Sequence, residues 1–153
     1  MRRHANPEPE IEADAAAIEL QKTLNMLLPI RRQRLNRSER QQREQERALQ
    51  QVIDKTAEGE VRLTQRQQDY QQIRQGFDGK NRGISQAKFR LDRALESEHQ
   101  ALERVDNERL GLHQLAVEQR ERQSKVEQAQ QETRLRMREM EKLEYLLQQE
   151  VLG

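Results

Sequence analysis

Gly76-Phe77-Asp78-Gly79-Lys80-Asn81-Arg82-Gly83 decides the fold. Three glycines in eight residues mark the one clear turn signal in a chain otherwise patterned for helix. On either side the apolar residues recur every seven positions. Ahead of the turn the phase reads Leu28, Leu35, Gln42, Leu49, Thr56, Leu63, Tyr70 and Phe77, with Ser38, Gln45, Val52, Gly59, Arg66 and Ile73 as companions. Behind it the phase is Ile84, Leu91, Glu98, Val105, Leu112, Gln119, Val126, Thr133, Met140 and Leu147, with Ala87, Ala94, Ala101, Leu115, Ala129 and Leu143 beside it. A seven-residue apolar repeat is the seam of a coiled coil. A single turn between two nearly equal arms predicts an all-α protein, a long antiparallel two-helix coiled-coil hairpin.

Folding the arms about residues 76–83 predicts which residues meet. Phe77 faces Ile84, Tyr70 faces Leu91, Leu49 faces Leu112 and Leu28 faces Thr133. Ser85 is a candidate helix cap, with Ile84 and Phe89 as a hydrophobic staple around it. At 1.5 Å per residue each arm would reach roughly 100 Å. The expected organisation is a tail over residues 1–9 and one hairpin over 10–153: a helix over about 10–75, the turn Gly76, Gly79 and Gly83, and a helix over about 84–152. Glu8, Glu10, Glu12 and Asp14 cluster where the first helix would begin, as its dipole favours. Pro29 lies inside the first apolar pattern; it removes one backbone hydrogen bond and predicts a kink or a short break.

Composition agrees with a narrow seam. Of 153 residues 36% are charged, 33% hydrophobic and 3% aromatic, too little large apolar bulk for a multi-layer core. Two apolar positions per seven suffice for paired helices. With 28 basic and 27 acidic side chains the net charge is +1, without the basic excess of a nucleic-acid-coating protein. There is no cysteine, which excludes disulfides, Cys-based metal sites and Cys nucleophiles. No apolar run approaches the roughly 18 residues needed to span a bilayer, and the opening residues lack a signal-peptide core. A cytoplasmic protein is expected.

No catalytic chemistry is expected, and no cofactor. His4, His99 and His113 are the only histidines, and the last two stand about 21 Å apart along a helix, too far to share a metal. The glycine-rich segment lacks the Gly-Lys-Ser/Thr ending of a phosphate loop. Carboxylates are plentiful, but exposed helices offer no cleft to shift their pKa.

Two features invite a partner. Arg31, Arg32, Arg34, Arg37, Arg40, Arg43 and Arg47 outnumber Glu39, Glu44 and Glu46 in one stretch. It reads as a DNA-binding basic region, as a surface for an acidic partner such as the rim of a protein pore, or as a solvated face. Against DNA, no zipper follows directly and no aromatics interleave. The apolar residues Leu24, Leu27, Leu28 and Ile30, with Met137, Met140, Leu143, Tyr145, Leu146, Leu147, Val151 and Leu152, read either as a thicker local core or as a hydrophobic collar that docks into a partner.

The segment Leu24-Asn-Met-Leu-Leu-Pro-Ile-Arg-Arg-Gln-Arg-Leu35, followed by Arg37, Glu39 and Arg40, resembles the opening of the YscO/FliJ family. These are stalk proteins of bacterial type III secretion and flagellar export. Arg134-Leu-Arg-Met-Arg-Glu-Met-Glu-Lys-Leu-Glu-Tyr-Leu-Leu147 resembles their closing helix. The resemblance covers about residues 20–150, with some twenty residues ahead of the family-like start. It implies a non-enzymatic hairpin whose paired ends enter the pore of a hexameric secretion ATPase. It also implies contact with the export gate and, as for some members, with secretion chaperones, and a place at the membrane through partners only. With the balanced charge, no nucleic-acid partner is expected. The positions matching the inserted end are Leu24, Leu28, Arg31, Arg32, Leu35, Met137, Met140, Leu143 and Leu147. A generic cytosolic coiled-coil scaffold is the competing expectation.

Overall fold

The computed structural model describes the backbone of residues 8–81 and 88–152, and the side chains of residues 14–76 and 88–149. It holds two helices, α1 (Glu8–Asn81) and α2 (Lys88–Leu152), packed against each other as a helical hairpin. Of the predicted tail over residues 1–9, residues 1–7 fall outside the described residues, as do Gly83, the Ser85 cap and the Ile84–Phe89 staple. Glu8 and Pro9 belong to α1, which corrects the tail's boundary.

α1 runs through Pro29 without a break. A proline inside a helix forfeits one hydrogen bond and crowds the preceding turn. Pro29 is exposed, on the side of α1 away from α2. α1 also continues through Gly76 and Gly79 to Asn81, so these two glycines are helical and the predicted turn boundary at residue 76 is corrected. Each helical glycine costs about 1 kcal/mol relative to alanine, which a long paired helix tolerates.

That extension changes the register. Contacts across the seam join Arg31 with Glu139, Gly59 with Leu112 and Arg62 with Glu108, so the paired residue numbers total 170 or 171. The expected pairs, such as Leu28 with Thr133 and Leu49 with Leu112, total 161. The hairpin is antiparallel as predicted, but its midpoint lies about five residues later than the glycines suggest. Leu112 meets Gly59 instead of Leu49, and Thr133 is level with Ser38 instead of Leu28.

The chain forms two compact units, residues up to Glu46 with those from Lys125, and Arg47–Ser124. In the first, Leu24, Val126, Met140 and Leu143 are buried, with Leu143 wholly so. Ser38 and Thr133 are the buried polar members of the same seam, and the Thr133 hydroxyl is satisfied by donating to the Ala129 carbonyl at 3.0 Å. Gln45 Oε1 is buried without a hydrogen-bond partner, a defect of about 1–3 kcal/mol.

In the second unit the core is Val52, Ala101 and Val105. Gly59 is buried where a Cβ would stand 2.8 Å from Leu112 Cδ2. Glycine here makes room for a leucine from the opposite helix. Gly111, by contrast, has open space where its Cβ would be. Gly111→Ala is therefore expected to stabilise the protein by about 1 kcal/mol, raising the melting temperature by roughly 2–4 °C. Gly59→Ala should not show that gain, because Leu112 must be displaced. Gly59→Val should lower stability by about 1–3 kcal/mol through overpacking. Thermal melts followed by far-UV circular dichroism check all three; a fall in Gly111→Ala or a gain in Gly59→Val would contradict this packing.

Candidate functional site

The nine positions that match the inserted end of the family all lie in the first unit, on α1 and on α2. They divide by what the seam leaves accessible. Leu24, Met140 and Leu143 are buried, and Leu28, Leu35 and Leu147 are half-buried. Spacings of three, four and seven residues put these six on the inner faces of two helices. They build the hairpin end. Of the two readings left open for the apolar surplus, a local core accounts for these residues.

Arg31 is also committed to the hairpin. Its Nη1 donates to the Glu139 carbonyl of α2 at 3.0 Å, and its side chain is half-buried. The acceptor residue sits in a small network. Arg136 Nη1 reaches the Glu139 carboxylate at 3.2 Å, and Arg136 Nη2 reaches Glu132 at 2.9 Å. The hydrogen bond to Glu139 raises the Arg136 pKa above its ordinary value, desolvation lowers it, and the charges of Glu132 and Glu139 raise it further. The guanidinium thus stays charged at any physiological pH and holds the two carboxylates on one side of α2. Glu132–Arg136 is an i, i+4 pair of the kind that contributes a few tenths of a kcal/mol.

Outward-facing residues remain. Arg32 is exposed, and Met137 is 43% exposed. Around them the structure adds apolar side chains that were not among the nine. Met26 is 70% exposed and Ile30 46% on α1, while Leu135, Tyr145 and Leu146 are exposed on α2. Their signal in the sequence was available. Leu146 adjoins Leu147, so both cannot enter one narrow seam, and Met26 and Ile30 fall off the heptad phase that contains Leu28 and Leu35.

The Arg-rich stretch resolves in the same way. Pro29, Arg32, Gln33, Asn36, Arg37 and Arg40 line a shallow groove of about 310 Å³ on the outer side of α1. All six are exposed. The lining recurs at three- and four-residue steps, which places it on one helix face opposite the buried Ser38. Arg43 lies further along, where its Nε donates to the Glu39 carbonyl at 3.4 Å.

Among the described residues no group of three or more His, Asp or Glu side chains could hold a metal ion, and His99 and His113 are both exposed. No helix among the described residues is long and apolar enough to cross a membrane. No family model matches the chain, and neither the curated proteins nor the solved structures provide a match.

Proposed function

We propose that this chain is a non-enzymatic, cytoplasmic stalk component of a bacterial type III secretion apparatus, of the kind found in virulence systems. Its hairpin end, residues 24–35 and 137–147, inserts into the pore of the hexameric secretion ATPase. The same protein contacts the export gate or secretion chaperones, and reaches the membrane only through them. One observation carries the reading. The end of the hairpin that resembles the family's inserted end is sealed internally by Leu24, Met140 and Leu143, yet presents Met26, Ile30, Arg32 and Met137 outward.

That surface suits a ring. Two paired helices are about 20 Å across. The exposed methionines and isoleucine supply contact area that adapts to a changing partner. Arg32 offers charge-assisted hydrogen bonds to carboxylates or carbonyls lining a pore. Because the sealed residues cannot reach a partner without opening the seam, the interaction depends on the outward set.

The test is association with the secretion ATPase by pull-down, together with its turnover. Arg32→Glu with Met137→Ala should weaken association at least tenfold, the loss of roughly 1.4 kcal/mol, and reduce stimulation of turnover, with helicity unchanged. Lys88→Glu with Arg90→Glu, exposed at the start of α2, should leave both intact. The reverse pattern would place the ATPase contact elsewhere on the hairpin. If the unaltered protein binds no secretion ATPase, the chain is a coiled-coil scaffold of another kind.

A further inference from the structure

The groove on the outer side of α1 shares Arg32 with the proposed ring contact, but Gln33, Asn36, Arg37 and Arg40 serve neither that contact nor the seam. Arg32, Arg37 and Arg40 project from it, and among the described residues none of the three forms an ion pair. Two arginines of these helices do meet acids, Arg62 at Glu108 and Arg136 at Glu132 and Glu139. Three unpaired guanidiniums side by side on one face repel one another. The positive patch they form is neutralised when an anion lies across them.

We infer that this groove is a docking site for an acidic helix of a partner protein, whose carboxylates pair with Arg32, Arg37 and Arg40. Charge selects the occupant's sign, and spacing selects its form. Arg32 and Arg40 are eight residues apart, about 12 Å along α1. A partner helix with Asp or Glu at steps of three, four and seven presents carboxylates over the same length. Gln33 and Asn36 stand between the arginines, and each offers an amide donor and an acceptor to the polar groups flanking those carboxylates. At the N-terminal end the groove runs into Pro29, with Ile30 and Met26 exposed beside it. An apolar side chain at the matching end of the partner helix would cover that patch. The expected occupant is thus an amphipathic acidic helix, apolar at one end and carboxylate-rich over its next two turns.

A nucleic-acid backbone fits less well. Three arginines would meet few phosphates, whereas duplex binders neutralise several. Beyond Arg40 the same face carries the exposed Arg43 and then the exposed Glu44, whose carboxylate interrupts the basic track and would repel a continuing phosphate backbone. No aromatic side chain lines the groove for base stacking. A partner helix of limited length ends before Glu44; a polyanion does not.

The experiment titrates the full chain with two fluorescein-labelled probes of matched charge. One is a synthetic helical peptide with Glu at steps of three and four and Leu at one end. The other is a short DNA duplex. Fluorescence anisotropy should show saturable peptide binding that weakens with salt and exceeds duplex binding. Each of Arg32→Gln, Arg37→Gln and Arg40→Gln should weaken peptide binding about threefold, the scale of one exposed ion pair, and the triple variant roughly thirtyfold. Replacing the terminal Leu of the peptide by Ser should weaken it further. All six lining residues are exposed, so the variants should fold as the parent does, which circular dichroism checks. Duplex binding equal to or tighter than the peptide's would overturn the inference in favour of a nucleic-acid surface. No peptide binding, or binding indifferent to the triple variant, would overturn it outright. The site does not depend on the stalk reading: a chain that binds the acidic peptide but no secretion ATPase keeps the groove and loses the stalk.

Discussion

Leu143→Ala is expected to lower the stability of the hairpin by about 2–5 kcal/mol, while Met137→Ala, six residues earlier on α2, should cost less than about 1 kcal/mol. The two side chains are similar in size and both lie in the segment that resembles the family's inserted end. Only their environment differs. Leu143 has no exposed surface, and Met137 keeps 43% of its own. Removing the buried leucine forfeits its transfer free energy and leaves a void that two helices, each held along its length, cannot close. Removing the methionine deletes atoms that already touch water. Urea denaturation of both variants, followed by circular dichroism, measures the difference directly. Equal and small effects would show that Leu143 is not in the seam. The same contrast sharpens any binding experiment. A loss of partner binding in Leu143→Ala reports a loosened hairpin end, whereas a loss in Met137→Ala or Arg32→Glu reports the contact itself.

The sequence reveals the seam well because the heptad repeat is a direct consequence of helix geometry. Positions chosen on a seven-residue phase, among them Ser38, Val52, Gly59, Val105, Val126, Thr133, Met140 and Leu143, are the ones found buried. Even the polar Ser38 and Thr133 were placed by phase alone. Leu91, on the same phase, is 40% exposed, and periodicity has no means of showing that. The register was not legible. It depends on where the chain reverses, and three glycines suggested residue 76. Glycine permits a turn without requiring one, and α1 carries on through Gly76 and Gly79 to Asn81. An error of five residues at the reversal becomes a change of about ten in the partner of every seam residue. Gly59 illustrates the cost of that error. On sequence it is a helix-weakening residue; in the observed register it is the space that Leu112 fills.

The functional surface was legible in outline and less so in its residues. The Arg excess and the apolar surplus do coincide in the first unit, as the sequence indicates. Sorting them required knowing which side of each helix is covered. Arg31 and Arg32 are neighbours in sequence, but about 100° apart around α1. One is tied to the Glu139 carbonyl, and the other opens into the outer groove. Arg37 and Arg40, Gln33 and Asn36 share that groove with Arg32, a grouping that follows from three- and four-residue spacing once the buried face is known.

Every one of these assignments rests on the antiparallel register, and a disulfide tests it. Ser38 and Thr133 are both buried, both on the seam, and level with each other in the observed pairing. A disulfide requires Cα atoms about 4.4–6.8 Å apart. The chain has no native cysteine to compete. Ser38→Cys with Thr133→Cys should therefore close into an intramolecular disulfide under mild oxidation, giving a monomer of altered mobility on a non-reducing gel. Leu28→Cys with Thr133→Cys should not, because a ten-residue offset separates the thiols by about 15 Å along the helices. Closure of the Leu28 pair in place of the Ser38 pair would return the turn to the glycines and dismantle the register. Crosslinks that form only between chains would contradict the hairpin itself.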